Sequence, residues 1–213
     1  MSKIINENQI EYLNGFRKEK EDVLIEMEEY AKANKIPILD WLSSEFLEHM
    51  ILTARPKRVL EIGTAIAYSS IRIARSLRKK GIVDTIEKSE PNIELAYGFI
   101  KRTGFESKIN ILEGDALDIL PRLPKKYDFI FLDADKEDYE TLFHFALMLL
   151  KKKGIIFIDN LLWKGYAASK SVPHDFKNST QHVRKFNDVF MNQKNLKAYI
   201  YPIGDGIGIG VKC

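Results

Sequence analysis

The sequence Arg58–Ser70, RVLEIGTAIAYSS, decides the fold, because a short β-branched run passes through one glycine into an amphipathic stretch. The same alternation recurs along the chain, where short runs rich in β-branched and aromatic residues separate longer stretches with apolar residues at helical spacing. The strand candidates are Arg58–Ile62, Ile82–Glu87, Ile109–Glu113, Tyr127–Leu132 and Ile155–Ile158. This alternation predicts βαβ units around a parallel sheet, an α/β doubly wound fold.

Three of the intervening stretches show which face turns toward the core. Their apolar residues recur three or four positions apart, as expected of one buried helix face. These residues are Ile71, Ala74 and Leu77, then Leu142, Phe145, Ala146 and Leu149, then Val183, Phe186 and Phe190 in a helix expected over 179–191.

The end of the chain predicts a reversal of strand direction. Two strand-like runs, Leu196–Ile203 and Ile207–Val211, are joined by Gly204-Asp205-Gly206. So tight a turn can only connect antiparallel strands, because a parallel pair needs a long crossover. We therefore expect a mostly parallel, seven-stranded, Rossmann-like sheet with an antiparallel last strand.

Residues 6–55 are typical of helices that break around Lys35–Leu39, where Pro37 interrupts the pattern. No linker or repeat divides the chain, so we expect one domain, 1–213, with a helical cap over 1–55 and a core over 56–213. The cap either covers the ligand edge of the sheet or forms the surface of a homodimer, and the sequence does not choose between these roles.

Composition excludes several classes of protein. The chain has 213 residues, of which 45% are hydrophobic and 30% charged, as in globular proteins with a sizeable core. Its single cysteine, Cys213, excludes an intrachain disulfide and a cysteine-based metal site. The longest mostly apolar stretch, Leu142–Leu150, is far shorter than a membrane span. We expect a cytoplasmic protein without a membrane partner.

The basic charge of the chain is concentrated near its end. Residues 160–213 contain eight Lys or Arg against three Asp and no Glu. This surplus indicates either an ordinary solvated surface or a polyanionic partner.

The first three strands end in residues suited to a nucleoside ligand, since ligands of parallel α/β sheets bind beyond the carboxyl ends of the strands. Gly63 permits a tight turn, but the further glycines of a dinucleotide-binding loop are absent, and Ala67 stands where a second glycine would. Glu87, 24 residues after Gly63, is placed to accept hydrogen bonds from ribose hydroxyls, and Asp115 follows Gly114 where an adenine amino group would lie. A ribose, a base and a zwitterionic tail without a pyrophosphate describe S-adenosylmethionine.

The fourth and fifth strands end in oxygen ligands. Asp133 follows one strand, and Asp159 and Asn160 follow the next. Neighbouring strands lie ~5 Å apart, so these side chains can converge on a hard divalent cation such as Mg²⁺. The alternative is that Asp133 caps the helix that opens near Asp138, while Asp159 and Asn160 only form a turn.

Six segments together resemble the cation-dependent O-methyltransferases of the catechol and caffeoyl-CoA type. They are VLEIGTAIAYSS, TIEKSE, GDALDILP, FLDADKEDY, FIDNLLWKG and PIGDGIGI, in the order and at the spacing of that family. The length, YAKANKIPILD, EIGTAIAYSS and VRKFNDVF look most like the bacterial tRNA 5-hydroxyuridine methyltransferases, which make 5-methoxyuridine at the wobble position. Ala67 replaces a glycine that the family usually has.

The resemblance implies a role for each matching residue. Cofactor binding falls to Ile38, Glu61, Gly63, Ser69, Glu87, Gly114, Asp115, Ala116 and Asp133, with Glu61, Gly63 and Ser69 at the methionine portion. The metal ligands are Asp133, Asp159 and Asn160, and the general base is Lys136.

Three functions follow from these patterns. The first is methylation of the tRNA anticodon region, which also accounts for the basic C-terminal quarter. The second is methylation of a small catechol-like phenol, which leaves that charge incidental. The third is a non-catalytic nucleotide-binding module, which gives the Asp133, Asp159 and Asn160 set no purpose.

Overall fold

The protein is described from a computed structural model, which covers residues 7–19, 21–124 and 126–213. Residues 1–6 of the predicted cap lie outside this description. The described chain forms two compact units, one ending at Ile36 and one spanning Pro37–Cys213. The single-domain organisation and the homodimer stay predictions.

The first unit contains two helices, α1 (Glu7–Asn14) and α2 (Asp22–Asn34). Within it, Arg17 forms an ion pair with Glu28. Helix α2 ends at Lys35, which adopts a left-handed conformation with φ of 56° and donates its N–H to the carbonyl of Ala31.

The second unit is built on a seven-stranded sheet. In chain order its strands are β1 (Arg58–Ile62), β2 (Ile82–Glu87), β3 (Ile109–Glu113), β4 (Tyr127–Leu132), β5 (Leu150–Ile158), β6 (Leu196–Tyr201) and β7 (Ile207–Lys212). They are arranged in the order β3-β2-β1-β4-β5-β7-β6. All neighbouring pairs from β3 to β5 are parallel, whereas β7 runs antiparallel to both β5 and β6. The predicted doubly wound sheet with an antiparallel last strand is confirmed.

Six helices of the same unit connect and cover the sheet. They are α3 (Trp41–Ala54), α4 (Tyr68–Ser76), α5 (Glu90–Thr103), α6 (Ala116–Ile119), α7 (Tyr139–Leu149) and α8 (Lys177–Met191). The break predicted around Lys35–Leu39 is confirmed, and Asp40 restarts the helix by accepting hydrogen bonds from the N–H groups of Leu42 and Ser43. Within the part of the chain that the structure describes, no helix is long and apolar enough to cross a membrane.

The core follows the two-residue alternation of the strands. Leu60 and Ile62 face a cluster that includes Phe143 of α7 and Phe186 of α8. Phe157 faces the opposite side of the sheet, where its ring lies 6.0 Å from that of Phe46 in α3. With helices on both faces, the carboxyl ends of the parallel strands remain free to form a site.

Candidate active site

A cavity of about 730 Å³ lies at the carboxyl ends of β1 to β5. Every residue predicted for the cofactor, the metal or the base lines this cavity, with the exception of Glu61. The wall also contains Lys164, one of the basic residues of the C-terminal quarter, and Tyr68, Trp163 and Asp205, to which the sequence assigned no role in the site. The segment Pro37–Leu39, including Ile38, supplies a further side of the cavity.

Gly63 stands where β1 turns toward α4, and only glycine fits there. Its φ is +103°, and a Cβ atom would lie 1.9 Å from the carbonyl oxygen of Asp133. The strands hold this close approach, because Asp133 donates its N–H to Ile62 at 3.0 Å and Gly63 donates its own to Ile86 at 3.2 Å. The glycine thus lets the ends of β1 and β4 meet beneath the cavity.

Ala67, which replaces the expected glycine, has a φ of +69° directly before α4. It is fully buried. The left-handed conformation costs a residue with a Cβ atom roughly 1–2 kcal/mol. The backbone here therefore has the conformation that a glycine adopts easily, although the residue is alanine.

Glu61 is the predicted residue that does not line the cavity. Its carboxylate is fully buried, and Oε2 accepts hydrogen bonds from the hydroxyls of Ser70 and Thr85. Among the residues that the structure describes, its Oε1 has no hydrogen-bond partner. Burial raises the pKa of Glu61 to about 7, although neighbouring hydroxyls, including that of the cavity residue Ser69, oppose the shift.

Glu87 presents a firmly held carboxylate at the end of β2. Its Oε2 accepts the N–H of Ala65 at 2.8 Å, and its Oε1 accepts those of Lys88 at 3.1 Å and Ser89 at 2.9 Å. At the end of β3, Asp115 accepts the N–H of Leu117 at 2.9 Å and so caps α6. The loops after β1, β2 and β3 thereby bring an ordered set of acceptors to one part of the cavity wall.

Asp133 and Asp159 follow the neighbouring parallel strands β4 and β5. Asp159 is almost fully buried, and its Oδ1 has no hydrogen-bond partner within the described part of the chain. Burial and then the charge of Asp133 raise the pKa of Asp159 well above its usual range. Asn160, with φ of +63°, donates its amide to Oδ2 of Asp159 at 3.1 Å.

These three residues fit a divalent cation. Two neighbouring carboxylates, of which Asp159 has a buried oxygen without a partner among the described residues, provide the negative charge that a hard cation neutralises. The alternative cap for Asp133 is wrong, because Asp138 occupies the N-terminal position of α7. No group of three or more His, Cys, Asp or Glu side chains suited to a metal occurs among the described residues. The predicted metal set contains two such side chains, Asp133 and Asp159, and its third member is the amide of Asn160.

Lys136 lies close to this acid pair. Its side chain is 9% exposed, and Nζ lies 3.2 Å from Oδ1 of Asp133 and 3.1 Å from the carbonyl oxygen of Ala134. The ring of Trp163 is 5.7 Å from the same nitrogen. The base predicted from the resemblance therefore lines the cavity, and Asp133 and Ala134 hold its Nζ in place.

The whole second unit matches one family model. The description of that family is O-methyltransferase, and the match spans residues 17–213. The chain belongs to the O-methyltransferase family. The enzyme class predicted from the sequence is thereby confirmed.

Individual relatives agree with the family. The chain is 32% identical over 174 residues to a caffeoyl-CoA O-methyltransferase of Stellaria longipes, covering 78% of this chain and 72% of that one. It is 34% identical over 147 residues to a catechol O-methyltransferase of Niastella koreensis, covering 67% and 65%. The solved O-methyltransferase of Bacillus cereus, in complex with S-adenosylhomocysteine, superimposes with a TM-score of 0.84 at 26% identity, covering 95% and 96%.

In this O-methyltransferase the turn between β6 and β7 holds the loop that follows Asn160. Asp205 accepts the N–H of Lys164 on its carboxylate at 2.5 Å and the N–H of Leu162 on its carbonyl at 2.8 Å. Gly206 accepts the N–H of Leu161 at 2.9 Å. The turn was recognised in the sequence only as a reversal of direction, although its motif was among those that resemble the family.

The basic residues near the C-terminus of the O-methyltransferase fall into two groups. Arg184 donates to the carbonyls of Tyr166, Ala167 and Ser169, and Lys185 pairs with Glu140 at 2.7 Å. These two side chains are engaged within the chain. Lys170 and Lys177 are exposed and form no ion pair within the described ranges.

Proposed function

We propose that this O-methyltransferase transfers the methyl group of S-adenosylmethionine, with a divalent cation such as Mg²⁺, to one of two neighbouring oxygens of its acceptor. The observation that carries the proposal is the buried carboxylate of Asp159. Its Oδ1 lacks a hydrogen-bond partner among the described residues, and its pKa is raised by burial and by Asp133. A buried carboxylate beside a second acid is costly unless a cation or a proton neutralises it.

The acceptors at β1, β2 and β3 support the cofactor. At β1 the cavity residue Ser69 offers a hydroxyl to a polar group of the ligand, and the buried carboxylate of Glu61 lies behind it. Glu87 is oriented by three backbone N–H groups, which suits recognition of hydroxyls. S-adenosylmethionine supplies the electrophilic methyl group and leaves as S-adenosylhomocysteine.

The ends of β4 and β5 support the cation and the base. Asp133, Asp159 and Asn160 would hold the cation, which orients two neighbouring oxygens of the acceptor and lowers the free energy of ionising its hydroxyl. Lys136 lines this part of the cavity beside Asp133, and in its neutral form, after it has released its own proton to solvent, Nζ would accept the hydroxyl proton. Trp163 shields the same nitrogen from water on one side.

The acceptor we propose is 5-hydroxyuridine at the tRNA wobble position, which becomes 5-methoxyuridine. Its 5-hydroxyl and 4-carbonyl oxygens are neighbours, so both could bind the cation that Asp133 and Asp159 would hold. Support comes from Lys170 and Lys177, which are exposed on the segment between the cavity residues Lys164 and Ser179 and are available to phosphates.

A small phenol is the second candidate acceptor. The names of the relatives, caffeoyl-CoA O-methyltransferase and catechol O-methyltransferase, favour it. The aromatic ring of Trp163 in the cavity wall also suits a planar acceptor of either kind.

Nucleoside analysis separates the two acceptors. Total tRNA from a strain that lacks the protein is digested, and 5-methoxyuridine is measured by mass spectrometry. We expect 5-methoxyuridine to disappear, 5-hydroxyuridine to accumulate, and the purified protein to methylate an anticodon stem-loop that contains 5-hydroxyuridine. An unchanged nucleoside profile, together with rapid methylation of catechol, would replace the tRNA acceptor with the phenol.

A further inference from the structure

Tyr139, at the start of α7, connects the predicted base to the end of β5. Its hydroxyl accepts a hydrogen bond from Nζ of Lys136 at 2.5 Å and donates one to the backbone carbonyl oxygen of Asp159 at 3.1 Å. The side chain is fully buried, and its ring packs edge-on against Phe186 at 5.2 Å. The hydroxyl therefore has a fixed position between two residues of the candidate site.

The contact matters because a lysine side chain has four rotatable bonds and loses much freedom when it is held in one place. Asp133 and Ala134 lie only three and two residues before Lys136, so both belong to the same loop as the lysine. Tyr139, in contrast, links Nζ of Lys136 to Asp159 at the end of β5.

We propose that Tyr139 is a positioning residue that holds Nζ of Lys136 at the reacting centre by tying it to the backbone of Asp159. This inference rests on the proposed methyl transfer with Lys136 as base. It adds a residue that acts through Lys136 and touches neither acceptor nor cofactor, because Tyr139 does not line the cavity.

The alternative is that Tyr139 only fills the core. The ring itself also contacts the lysine, because its centroid lies 4.5 Å from Nζ of Lys136. The substitution Tyr139→Phe separates the two roles, because it keeps the ring and removes only the hydroxyl.

A matched control is available at the other end of the same sheet. Tyr127 is also fully buried, and its hydroxyl donates to the carboxylate of Asp84 at 2.9 Å. It is the first residue of β4, whereas the cavity lies beyond the last. Tyr127→Phe therefore removes an equivalent buried hydroxyl far from the reacting centre.

The experiment is a double-mutant cycle with Tyr139→Phe, Lys136→Met and their combination, and with Tyr127→Phe as control. We expect Tyr139→Phe to lower kcat by about tenfold or more while the KM for S-adenosylmethionine stays within about twofold. In the Lys136→Met background, Tyr139→Phe should lower kcat by less than about twofold, because the amine that Tyr139 holds is absent. Tyr127→Phe should leave kcat unchanged.

Two measurements guard against loss of folding and against failure of the proposed function. Melting temperatures fix an assay temperature at which every variant is folded. Labelling of lysines with an amine-reactive reagent, followed by mass spectrometry, needs no activity. Lys136 should react faster in Tyr139→Phe than in the parent, while the exposed Lys197 reacts equally in both.

The outcomes are distinct. A parent that transfers no methyl group refutes the proposed function, and the labelling result alone then decides whether Tyr139 restrains Lys136. An active parent with an equally fast Tyr139→Phe variant overturns the inference. A double variant whose kcat is lowered by the product of the two single reductions also overturns it.

Discussion

The carboxylates of Asp133 and Asp159 lie at the ends of neighbouring parallel strands, where burial and the charge of Asp133 raise the pKa of Asp159. Lys136 supplies one positive charge beside Asp133, but one oxygen of Asp159 has no hydrogen-bond partner among the described residues. The pair therefore suits a further cation. Every role proposed for the β4 and β5 end of the cavity depends on this relationship.

The buried carboxylate of Glu61 predicts a pH dependence of stability. Its pKa is about 7 in the folded protein and near 4.5 when exposed. Between these values the folded state keeps a proton that the unfolded state loses, so the free energy of unfolding falls as the pH rises through this window. The decrease from this one group is at most about 3 kcal/mol.

Denaturant melts of the parent and of Glu61→Gln, taken from pH 4.5 to pH 7.5, test this dependence. The glutamine variant should show a flatter profile, because it cannot lose the proton. Equal slopes for the two proteins would mean that Glu61 ionises normally in the folded state.

Gly63 and Ala67 predict unequal responses to exchange between glycine and alanine. Gly63→Ala places a Cβ atom against the carbonyl of Asp133, so we expect a loss of about 3 kcal/mol or more. Ala67→Gly relieves a left-handed alanine, but it adds freedom to the unfolded chain and removes a buried methyl group. These effects nearly cancel, so the change should stay within about 1 kcal/mol. Urea unfolding measures both, and similar losses at the two positions would contradict the backbone argument.

Lys136→Met tests the proposed base, since it keeps much of the side-chain volume and removes the amine. At neutral pH we expect kcat to fall by something like 10²-fold, with partial recovery as the pH rises and the acceptor ionises unaided. The pH profile of kcat gives the answer. A variant as fast as the parent at pH 7 would leave Lys136 with a structural role only.

The two groups of basic residues predict different effects on the two acceptors. Charge reversal of Lys170 and Lys177 should raise KM for an anticodon stem-loop and reduce its dependence on salt, by a log–log slope of about 0.7 for each lost phosphate contact. The KM for catechol should not change. Arg184→Gln instead loosens the 166–169 turn, so it should impair both acceptors alike. If the lysine variant handles the stem-loop like the parent at every salt concentration, these lysines do not contact RNA.

The strands could be predicted where burial dominates the sequence. Residues Arg58–Ile62, Ile82–Glu87, Ile109–Glu113 and Tyr127–Leu132 form strands with the predicted bounds. Strand β5 was predicted to begin at Ile155 but begins at Leu150. Three consecutive lysines obscured its first half, where the pairing with β4 is also irregular.

The site could be predicted at the ends of strands but not beyond them. Acids after β2, β4 and β5 converge because the topology brings them together, and that topology follows from the alternation of elements. Glu61 was expected at the cofactor, yet it lies under α4 behind Ser69, because alternation along β1 alone does not show which face opens to the cavity. Tyr139 and Asp205 form hydrogen bonds with segments that are distant in the chain, Tyr139 with Asp159 and Asp205 with residues 162 and 164, and no local pattern reveals such contacts.

The most direct test of the account is the rate of methyl transfer from S-adenosylmethionine, measured with excess chelator, after addition of Mg²⁺, and for Asp159→Asn under both conditions. Asp159→Asn keeps the shape of the side chain and removes the negative charge that Asp133 repels, so the variant should melt no lower than the parent. It should still be stabilised by S-adenosylhomocysteine. We predict that the parent loses its activity in chelator and regains it with Mg²⁺, whereas Asp159→Asn stays inactive in both. Full turnover by the parent in excess chelator would contradict the cation-dependent mechanism.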